Sequence, residues 1–199
     1  DAGTYIREAQ LQAYKDLPAV GFVAAYDQQV NWYHPQLKVE LGERMARWAL
    51  ATQYGFDLGW EPALQISEEV VPGGMIIGFD RKVAVIDGRP IEGMALAGKD
   101  KKFYHAKAEY IVTGKNDKGK DILDKTRLLI TCKEVKKPIA CRYAWARNPL
   151  GNLLNDAQKI IPVPSFRTDN WDWPEAPFAE NKTEEFQAHR KKLNEMKKR

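Results

Sequence analysis

Residues 19–26, AVGFVAAY, form an uninterrupted apolar run whose length suits a single strand. Because the run shows no polar alternation, it is typical of a strand buried on both faces of a parallel sheet. Segments with helical periodicity lie on either side of it, over about residues 4–15 and 35–54. One parallel strand cannot form a sheet by itself. The pattern therefore predicts an α/β unit over residues 1–58 whose other strands come from a second chain, so that this chain is not a stable monomer.

Both predicted helices have recognisable ends. Thr4 can cap the first helix with its side-chain oxygen, and Leu17-Pro18 ends it. Pro35 suits the first position of the second helix because its missing N–H would be unpaired there anyway, and Gly55 follows the end of that helix. His34 thus lies between the carboxyl end of the predicted strand and the start of a helix. Open α/β sheets place ligand sites at this point, but position alone is equally consistent with a capping or packing role for His34.

From about residue 60 the helical periodicity gives way to short runs of strand length. These runs cover residues 63–71, 75–79, 83–86, 91–97, 103–113, 128–133 and 139–145. Turn-forming clusters separate them, such as Pro72-Gly73-Gly74 and the polar stretch 114–119. Strands at this spacing are typical of an antiparallel sandwich. We therefore predict a β-sandwich domain over residues 59–150.

Two further segments follow the predicted sandwich. Residues 151–182 are rich in proline and tryptophan, and we expect an extended segment that packs on the body. Thr183 then caps a predicted basic helix over residues 183–199, and its last part, residues 189–199, supplies more than the whole net charge of +4. A basic tail of this kind is usually a solvated helix face, so nucleic acid is not an expected partner. No apolar run approaches the ~20 residues of a membrane span, and none is expected.

The two cysteines lie on consecutive predicted strands. If those strands form a hairpin across residues 133–139, Cys132 and Cys141 sit directly opposite each other, at a separation that suits a disulfide. A disulfide would indicate an oxidising compartment such as the periplasm or the secretory pathway. The alternative is two free, buried cysteines.

The residues alone show little catalytic chemistry. The sequence has three histidines and two serines, Ser67 and Ser165, but no Gly-x-Ser-x-Gly motif and no cluster with metal-ligand spacing. His105 lies in a strand-like run and His189 on the basic helix, positions that favour structural roles. On this ground the sequence predicts an α/β portion plus a β-sandwich, and no specific activity.

A set of separated blocks adds a function. The blocks are residues 6–10 (IREAQ), 34–35 (HP), 40–44 (ELGER), 48–51 (WALA), 142–145 (RYAW), 148–153 (NPLGNL) and 165–171 (SFRTDNW). In this order they resemble the carboxy-terminal part of the sialate O-acetylesterase family, within the SGNH hydrolase superfamily. The resemblance covers about residues 5–172. It implies that residues 1–58 are the closing strand and helices of a flavodoxin-like SGNH hydrolase domain.

The resemblance also implies a mechanism. His34 matches the histidine that acts as general base for a serine near the start of the hydrolase domain, and that serine block is not in this chain. An N-terminal chain or portion of the same esterase is therefore the expected partner, whether this chain arises by cleavage or is part of a longer polypeptide. The implied substrate is an O-acetylated sugar, most simply an acetylated sialic acid. The resemblance further implies that the reaction uses no metal or organic cofactor, and we expect a secreted, periplasmic or lysosomal-type compartment.

One departure from the family pattern concerns the triad acid. The superfamily places this carboxylate two or three residues before the histidine, where this sequence has Trp32 and Asn31. Asp27, the nearest upstream carboxylate, could orient His34, or a backbone carbonyl of the Asn31–Trp32 loop could do so. The third alternative is that this member has lost activity. Two other functions stay open, namely a non-catalytic carbohydrate-binding or structural subunit and an acetylxylan-type esterase.

Overall fold

The computed structural model describes residues 2–28 and 38–172. Asp1–Asp169 form one compact unit, and Asn170–Arg199 form a second unit of which only the first few residues are described. The basic helix predicted over residues 183–199 lies outside the described residues, as does the segment that contains His34. The domain boundaries at residues 58 and 150 stay predictions.

Two α-helices precede the sheets, α1 over Ala2–Asp16 and α2 over Lys38–Gln53, and a short 3-10 helix covers Ile86–Gly88. The capping role predicted for Thr4 is wrong, because α1 already begins at Ala2 and Thr4 lies inside it with 1% of its surface exposed. The helix predicted from Pro35 onwards is present from Lys38, and the residues before Lys38 lie outside the described part.

The apolar run at residues 19–26 contains no assigned strand. A strand is defined by its hydrogen bonds to a neighbour, and no described residue pairs with this segment in a ladder. Ala24 and Tyr26 nevertheless lie buried in the main core. Trp48 of α2 packs over Gly21, where an added Cβ would approach the indole ring to 2.5 Å. The segment is therefore held by α2 and the main core, without strand pairing to any described residue.

Within the described residues, ten strands form three antiparallel sheets, which confirms the antiparallel content predicted for this region. The strands are β1 Gln65–Val71, β2 Gly74–Phe79, β3 Val83–Ala84, β4 Met94–Ala97, β5 Phe103–His105, β6 Lys107–Lys115, β7 Asp121–Thr131, β8 Ala140–Tyr143, β9 Leu154–Asn155 and β10 Phe166–Arg167. The first sheet has the order β1-β2-β7-β6, the second has the order β10-β8-β4-β5, and β3 pairs with β9.

The two four-stranded sheets bury their facing side chains in one shared core. The first sheet contributes Met75, Ile77, Leu128 and Ile130, and the second contributes Met94, Leu96, Cys141, Tyr143 and Phe166. Alternate residues of β8 follow this pattern, with Cys141 and Tyr143 inside and Arg142 on the opposite face. Burial of these side chains supplies the main driving force for folding of this unit.

Residues 103–113, predicted as one strand, are divided between the two sheets. The chain leaves the second sheet after β5, and Ala106 donates a backbone hydrogen bond to Met94 (2.9 Å) before β6 joins the first sheet. Strands β9 and β10 come from the segment after residue 150, which the sequence predicts as extended but not as sheet-forming. Two short pieces of the segment after residue 150 are thus part of the sheets.

The predicted cysteine hairpin is wrong. Cys132 follows β7 in the first sheet, whereas Cys141 lies in β8 of the second sheet, opposite Leu96. Both cysteines are free. The thiol of Cys132 instead donates to Glu134 (3.1 Å) and contacts the carbonyl oxygen of His105 (3.4 Å). Burial raises the pKa of the Cys141 thiol far above its ordinary value, so this group stays neutral inside the core.

Three of the sequence blocks meet where α1 packs on the second sheet. Arg7 donates to the backbone oxygen of Ala144 (3.4 Å) and to the hydroxyl of Ser165 (3.3 Å). Glu8 binds Arg167 through both carboxylate oxygens (2.7 and 3.0 Å). Charge-assisted, two-point pairs of this kind fix orientation as well as distance. They attach α1, and with it the start of the 19–26 segment, to the sheet.

Candidate functional site

The candidate base itself, His34, lies outside the described residues, together with Asn31 and Trp32. The structure describes the chain on both sides of that segment, up to Gln28 and again from Lys38. Asp27 is described and lies just before the segment. The described part of the site consists of the residues around Asp27 and a cavity that Asp27 lines.

Asp27 forms a two-point ion pair with Arg44 of α2. The two guanidinium nitrogens lie 2.8 and 2.6 Å from the two carboxylate oxygens. Arg44 is 7% exposed and also donates to the backbone oxygens of Ala24 (2.9 Å) and Ile160 (2.7 Å). One buried guanidinium thus joins the end of the apolar run, the carboxylate and a distant loop. Because Arg presents its donors in a rigid fork, this arrangement fixes the position at which the chain enters the His34 segment.

The pair with Arg44 bears on the orienting role predicted for Asp27. A carboxylate oxygen can accept more than one hydrogen bond, so Asp27 keeps acceptor capacity for an imidazole N–H. The adjacent positive charge of Arg44, however, offsets much of the attraction between Asp27 and an imidazolium. In the described structure Asp27 is first a partner of Arg44, and its action on His34 stays a prediction.

Two buried tyrosines hold the residue before Asp27 in place by hydrogen bonds. The hydroxyl of Tyr26 donates to the backbone oxygen of Val163 (2.7 Å) and is hydrogen-bonded to the hydroxyl of Tyr143 (3.1 Å). Tyr143 in turn accepts the N–H of Leu153 (2.8 Å). Burial raises the pKa of both tyrosines well above the ordinary value. Both therefore stay protonated at neutral pH and act as fixed hydrogen-bonding groups that join Tyr26 to the loop after β8.

A cavity of about 480 Å³ opens beside Asp27, and we call it the first cavity. It is lined by Tyr26, Asp27, Ile86, Arg89, Glu92, Asn148, Pro149, Leu150, Gly151, Asn152, Leu153, Leu154 and Pro162. The loop 148–153, one of the sequence blocks, forms one wall, and the region of the 3-10 helix forms the other. The volume falls within the ~300–1,000 Å³ usual for small-ligand sites.

The wall formed by residues 148–153 is firmly attached. Asn152 accepts the N–H of Glu92 (2.9 Å) and donates to the backbone oxygen of Pro90 (2.8 Å). Gly93 and Gly151 pack against each other so closely that a Cβ on Gly93 would lie 2.9 Å from the Cα of Gly151. The first cavity is thus bounded by a preorganised loop, a condition for precise ligand positioning.

The lining of the first cavity contains hydrogen-bond donors and acceptors, and it includes both positively and negatively charged side chains. Asp27 and Glu92 carry acceptor oxygens, Arg89 carries only donors, and Asn148 carries both. This combination suits a ligand with several hydroxyl groups, each of which donates and accepts. Residues 2–28 and 38–172 hold no group of three or more His, Cys, Asp or Glu side chains arranged for a metal ion. Neither α1 nor α2 has the length and apolar character that crossing a bilayer requires.

Neither serine of the chain is set up as a nucleophile. Ser165 is buried, and its hydroxyl accepts from Arg7 of α1. Ser67 lies on the exposed strand β1, where it faces Gly78 of β2. Activated serines of esterases are presented at a sharp strand-to-helix turn beside a histidine base, and neither residue occupies such a turn. Serine chemistry at this site would need a serine from outside this chain.

Sequence reasoning did not single out Arg44, Tyr143 or the loop 148–153 as parts of the site. A signal for Arg44 was present, since it lies three residues after Leu41 and four before Trp48, on the apolar side of the predicted helix. A charged residue on that side indicates a buried partner. Tyr143 carried no comparable signal, because the pairing of its hydroxyl depends on contacts between distant segments.

No protein-family model matches the sequence, and no curated protein matches it. Among solved structures, the chain is similar to the crystal structure of XAC1771, a carbohydrate acetylesterase from Xanthomonas citri, with a TM-score of 0.71 and 29% sequence identity. The match covers 84% of this chain and 36% of the acetylesterase, so the chain spans about a third of that protein's length. The fold and the sequence together thus relate this chain to a carbohydrate acetylesterase.

Proposed function

We propose that this chain is the carboxy-terminal portion of a serine esterase that removes O-acetyl groups from carbohydrates. The similarity to a carbohydrate acetylesterase over 84% of the chain carries this proposal. The hydroxyl-compatible lining of the first cavity, at the entrance to the His34 segment, supports it. We further propose that residues 1–58 complete a flavodoxin-like SGNH hydrolase domain whose other strands and nucleophilic serine lie in an N-terminal portion.

His34 is the proposed general base. The serine oxygen adds to the acetyl carbonyl carbon while His34 takes the serine proton. The ester C–O bond then breaks, and the imidazolium gives this proton to the leaving sugar oxygen. Water attacks the acetyl-serine in the second half, again with His34 taking and returning a proton, and acetate leaves. Neither half-reaction requires a group other than side chains and water.

The proposed substrate is an O-acetylated sugar held in the first cavity. An acetylated sialic acid is the finer proposal that follows from the family resemblance, and an acetylated xylan is the alternative. Arg89, a cation on the cavity wall, favours a sugar that carries a carboxylate. We also propose that the protein works in a secreted, periplasmic or lysosomal-type compartment.

The test uses the esterase purified together with the polypeptide that carries its serine. His34→Ala is expected to lower kcat for p-nitrophenyl acetate by about four orders of magnitude or more, as removal of a triad member does elsewhere. The thermal unfolding midpoint should change little. His189→Ala, a histidine substitution on the predicted basic helix, is the matched control and should keep full activity.

Two results would contradict the proposal. Full turnover by the His34→Ala enzyme would end the assignment of the base. Absence of any serine that a fluorophosphonate probe labels in the purified material would end the assignment to serine esterases. A helix-capping histidine would behave differently, costing ~1 kcal/mol of stability with little loss of rate.

Asp27→Asn tests what orients His34. If Asp27 is the orienting carboxylate, kcat falls steeply even for p-nitrophenyl acetate, which carries no sugar that Asp27 could bind in the first cavity. If a carbonyl of the Asn31–Trp32 loop orients the base, kcat of Asp27→Asn stays close to that of the parent enzyme.

A further inference from the structure

A second cavity, of about 260 Å³, lies next to the first one. It is lined by Gly93, Ala95, Phe103, His105, Arg142, Ala144, Trp145, Ala146, Asn148, Pro149 and Leu150. Its floor is the face of the β10-β8-β4-β5 sheet that points away from the core. With this volume it is smaller than the ~300–1,000 Å³ site of a drug-sized ligand, and it therefore suits one small unit.

The two cavities share a wall. Asn148, Pro149 and Leu150 line both of them, so a single segment of chain separates the two spaces. Leu150, one of the shared residues, is 68% exposed. The bonds of Asn152 to residues 90–92 hold the shared segment in place. A ligand made of linked units can therefore extend from the first cavity across Leu150 into the second.

The register of the sheet explains why the second cavity is present. His105 of β5, Ala95 of β4 and Arg142 of β8 are directly paired neighbours, so their side chains share one face of the sheet. The small methyl group of Ala95 lies between two long side chains. The second cavity is the space that Ala95 leaves open.

The polar groups of the second cavity are held in fixed positions. Asp169, with a side chain only 1% exposed, binds Arg142 through both oxygens (2.8 and 2.7 Å). The guanidinium then lies 4.2 Å from the centre of the Phe103 ring. This anchoring gives the cavity a wall whose charge and position are set before any ligand binds, which lowers the entropic cost of binding.

The remaining lining combines aromatic surface with uncommitted polar groups. Phe103 and Trp145 supply aromatic side chains, which pack well against the C–H faces of a sugar ring. The imidazole of His105 is exposed and has no hydrogen-bond partner within the described part of the chain. The amide of Asn148, on the shared wall, is also exposed and has no hydrogen-bond partner among the described residues. Apolar walls with a few convergent polar groups are what a small sugar unit requires.

We infer that the second cavity is a subsite for the sugar residue next to the acetylated one. The substrate is then an O-acetylated oligosaccharide and not a free monosaccharide, with the acetylated unit in the first cavity and its neighbour beyond Leu150. This inference rests on the proposed function for the place of the acetylated unit. It needs no contribution from the serine-bearing portion.

Activity ratios test the subsite in the esterase purified with its serine-bearing partner. The probes are O-acetylated sialyllactose and O-acetylated xylotetraose, each compared with p-nitrophenyl acetate. We expect His105→Ala and Ala95→Leu to lower the ratio of kcat/KM for the preferred oligosaccharide to that for p-nitrophenyl acetate by about tenfold. Ala95→Leu fills the second cavity without removing a polar group. Tyr104→Ala, on the neighbouring residue and the opposite face of β5, is the control and should leave the ratio unchanged.

Direct binding separates failure of the subsite from failure of the esterase proposal. Isothermal titration with the same two oligosaccharides after chemical removal of the acetyl groups should show binding that His105→Ala and Ala95→Leu weaken about tenfold. Binding with this pattern but no acetate release would contradict the esterase proposal and keep the subsite. Acetate release with an unaltered ratio in both variants would overturn the subsite. A fall of equal size for both substrates would also overturn it, since that result indicates a structural defect.

Discussion

The buried ion pair between Arg44 and Asp27 is the residue-scale feature with the widest consequences. We expect Arg44→Met to lower the free energy of unfolding by about 3 kcal/mol, because it leaves the Asp27 carboxylate and two backbone oxygens without their donor. Arg47→Met is the matched control on the same helix. Arg47 pairs with the half-exposed Glu43 at 3.3 Å, so its loss should cost less than ~1 kcal/mol. Urea denaturation followed by circular dichroism gives both values.

Equal losses in the two variants would mean that burial of Arg44 does not strengthen its pair with Asp27.

The sequence places Arg44 among the apolar positions of the predicted helix, and this placement indicated a buried partner. The identity of that partner could not be predicted from the sequence, since Asp27 lies seventeen positions away in a loop whose course depends on the packing of α2.

At the scale of single elements, Asp124 organises a bulge in β7. Ile111 of β6 pairs with Asp124 while the preceding Tyr110 pairs with Leu128, so three residues of β7 have no partner on β6. Asp124 accepts from the hydroxyl of Thr126 (2.6 Å) and from Arg127 (2.7 Å). These bonds lower the pKa of Asp124 from 3.8 to about 2.

A lowered pKa in the folded state makes a contribution to stability that is present above the unfolded pKa near 4 and is lost as the pH falls towards 2. Because Asp124 lies near the surface, we expect Asp124→Asn to cost about 1 kcal/mol at pH 7. The difference from the parent protein should shrink as the pH falls below about 4 and vanish only near about pH 1, where the carboxyl is protonated in both the folded and the unfolded state. Denaturation curves at several pH values measure it, and a difference that is as large at pH 2 as at pH 7 would contradict the assignment. Asp121→Asn, which removes an exposed pair with Lys115, should have a smaller effect at pH 7.

The contact between Gly93 and Gly151 holds the loop 148–153 on the edge of β4. Gly93 has φ +92°, and an added Cβ would lie 2.9 Å from Gly151. Gly93→Ala should therefore lower the free energy of unfolding by about 3 kcal/mol through backbone strain and overpacking together. Gly119→Ala is the control, because Gly119 has φ +73° but open space around its Cα, and only the backbone cost of ~1–2 kcal/mol applies. Similar losses in the two variants would show that the contact itself contributes nothing.

Element prediction succeeded where a strand is short and bounded by turn residues. Runs such as 75–79 and 139–145 correspond to β2 and β8 because alternation and Gly/Pro boundaries are local properties. The run 103–113 was not divided in the prediction, since transfer of the chain from one sheet to the other at Ala106 depends on pairing with Met94. Strands β9 and β10 are two residues long, too short for any periodicity to show. The disulfide failed for the same reason, because strand neighbours in sequence belong to different sheets.

At the scale of the whole molecule, α2 and the 19–26 segment form an open apolar face. It surrounds an open space of about 570 Å³ lined by Gly21, Val23, Leu41, Met45, Ala46, Trp48 and Ala49. Exposed apolar surface of this kind usually marks an interaction site. We propose that the serine-bearing portion of the esterase packs here and pairs with residues 19–26, which completes the sheet that this run predicts.

This assembly can be tested with two substitutions on one helix. Met45 is 57% exposed on the apolar face, and Met45→Glu should weaken association with the serine-bearing portion by tenfold or more, since a carboxylate would be buried in an apolar contact. Val39 is 81% exposed and does not line this face, so Val39→Glu makes the same chemical change outside the contact and should leave association unchanged. Sedimentation velocity measures the two complexes. If both variants assemble like the parent protein, the serine-bearing portion does not cover α2, and the strand predicted at residues 19–26 must find its neighbours in another way.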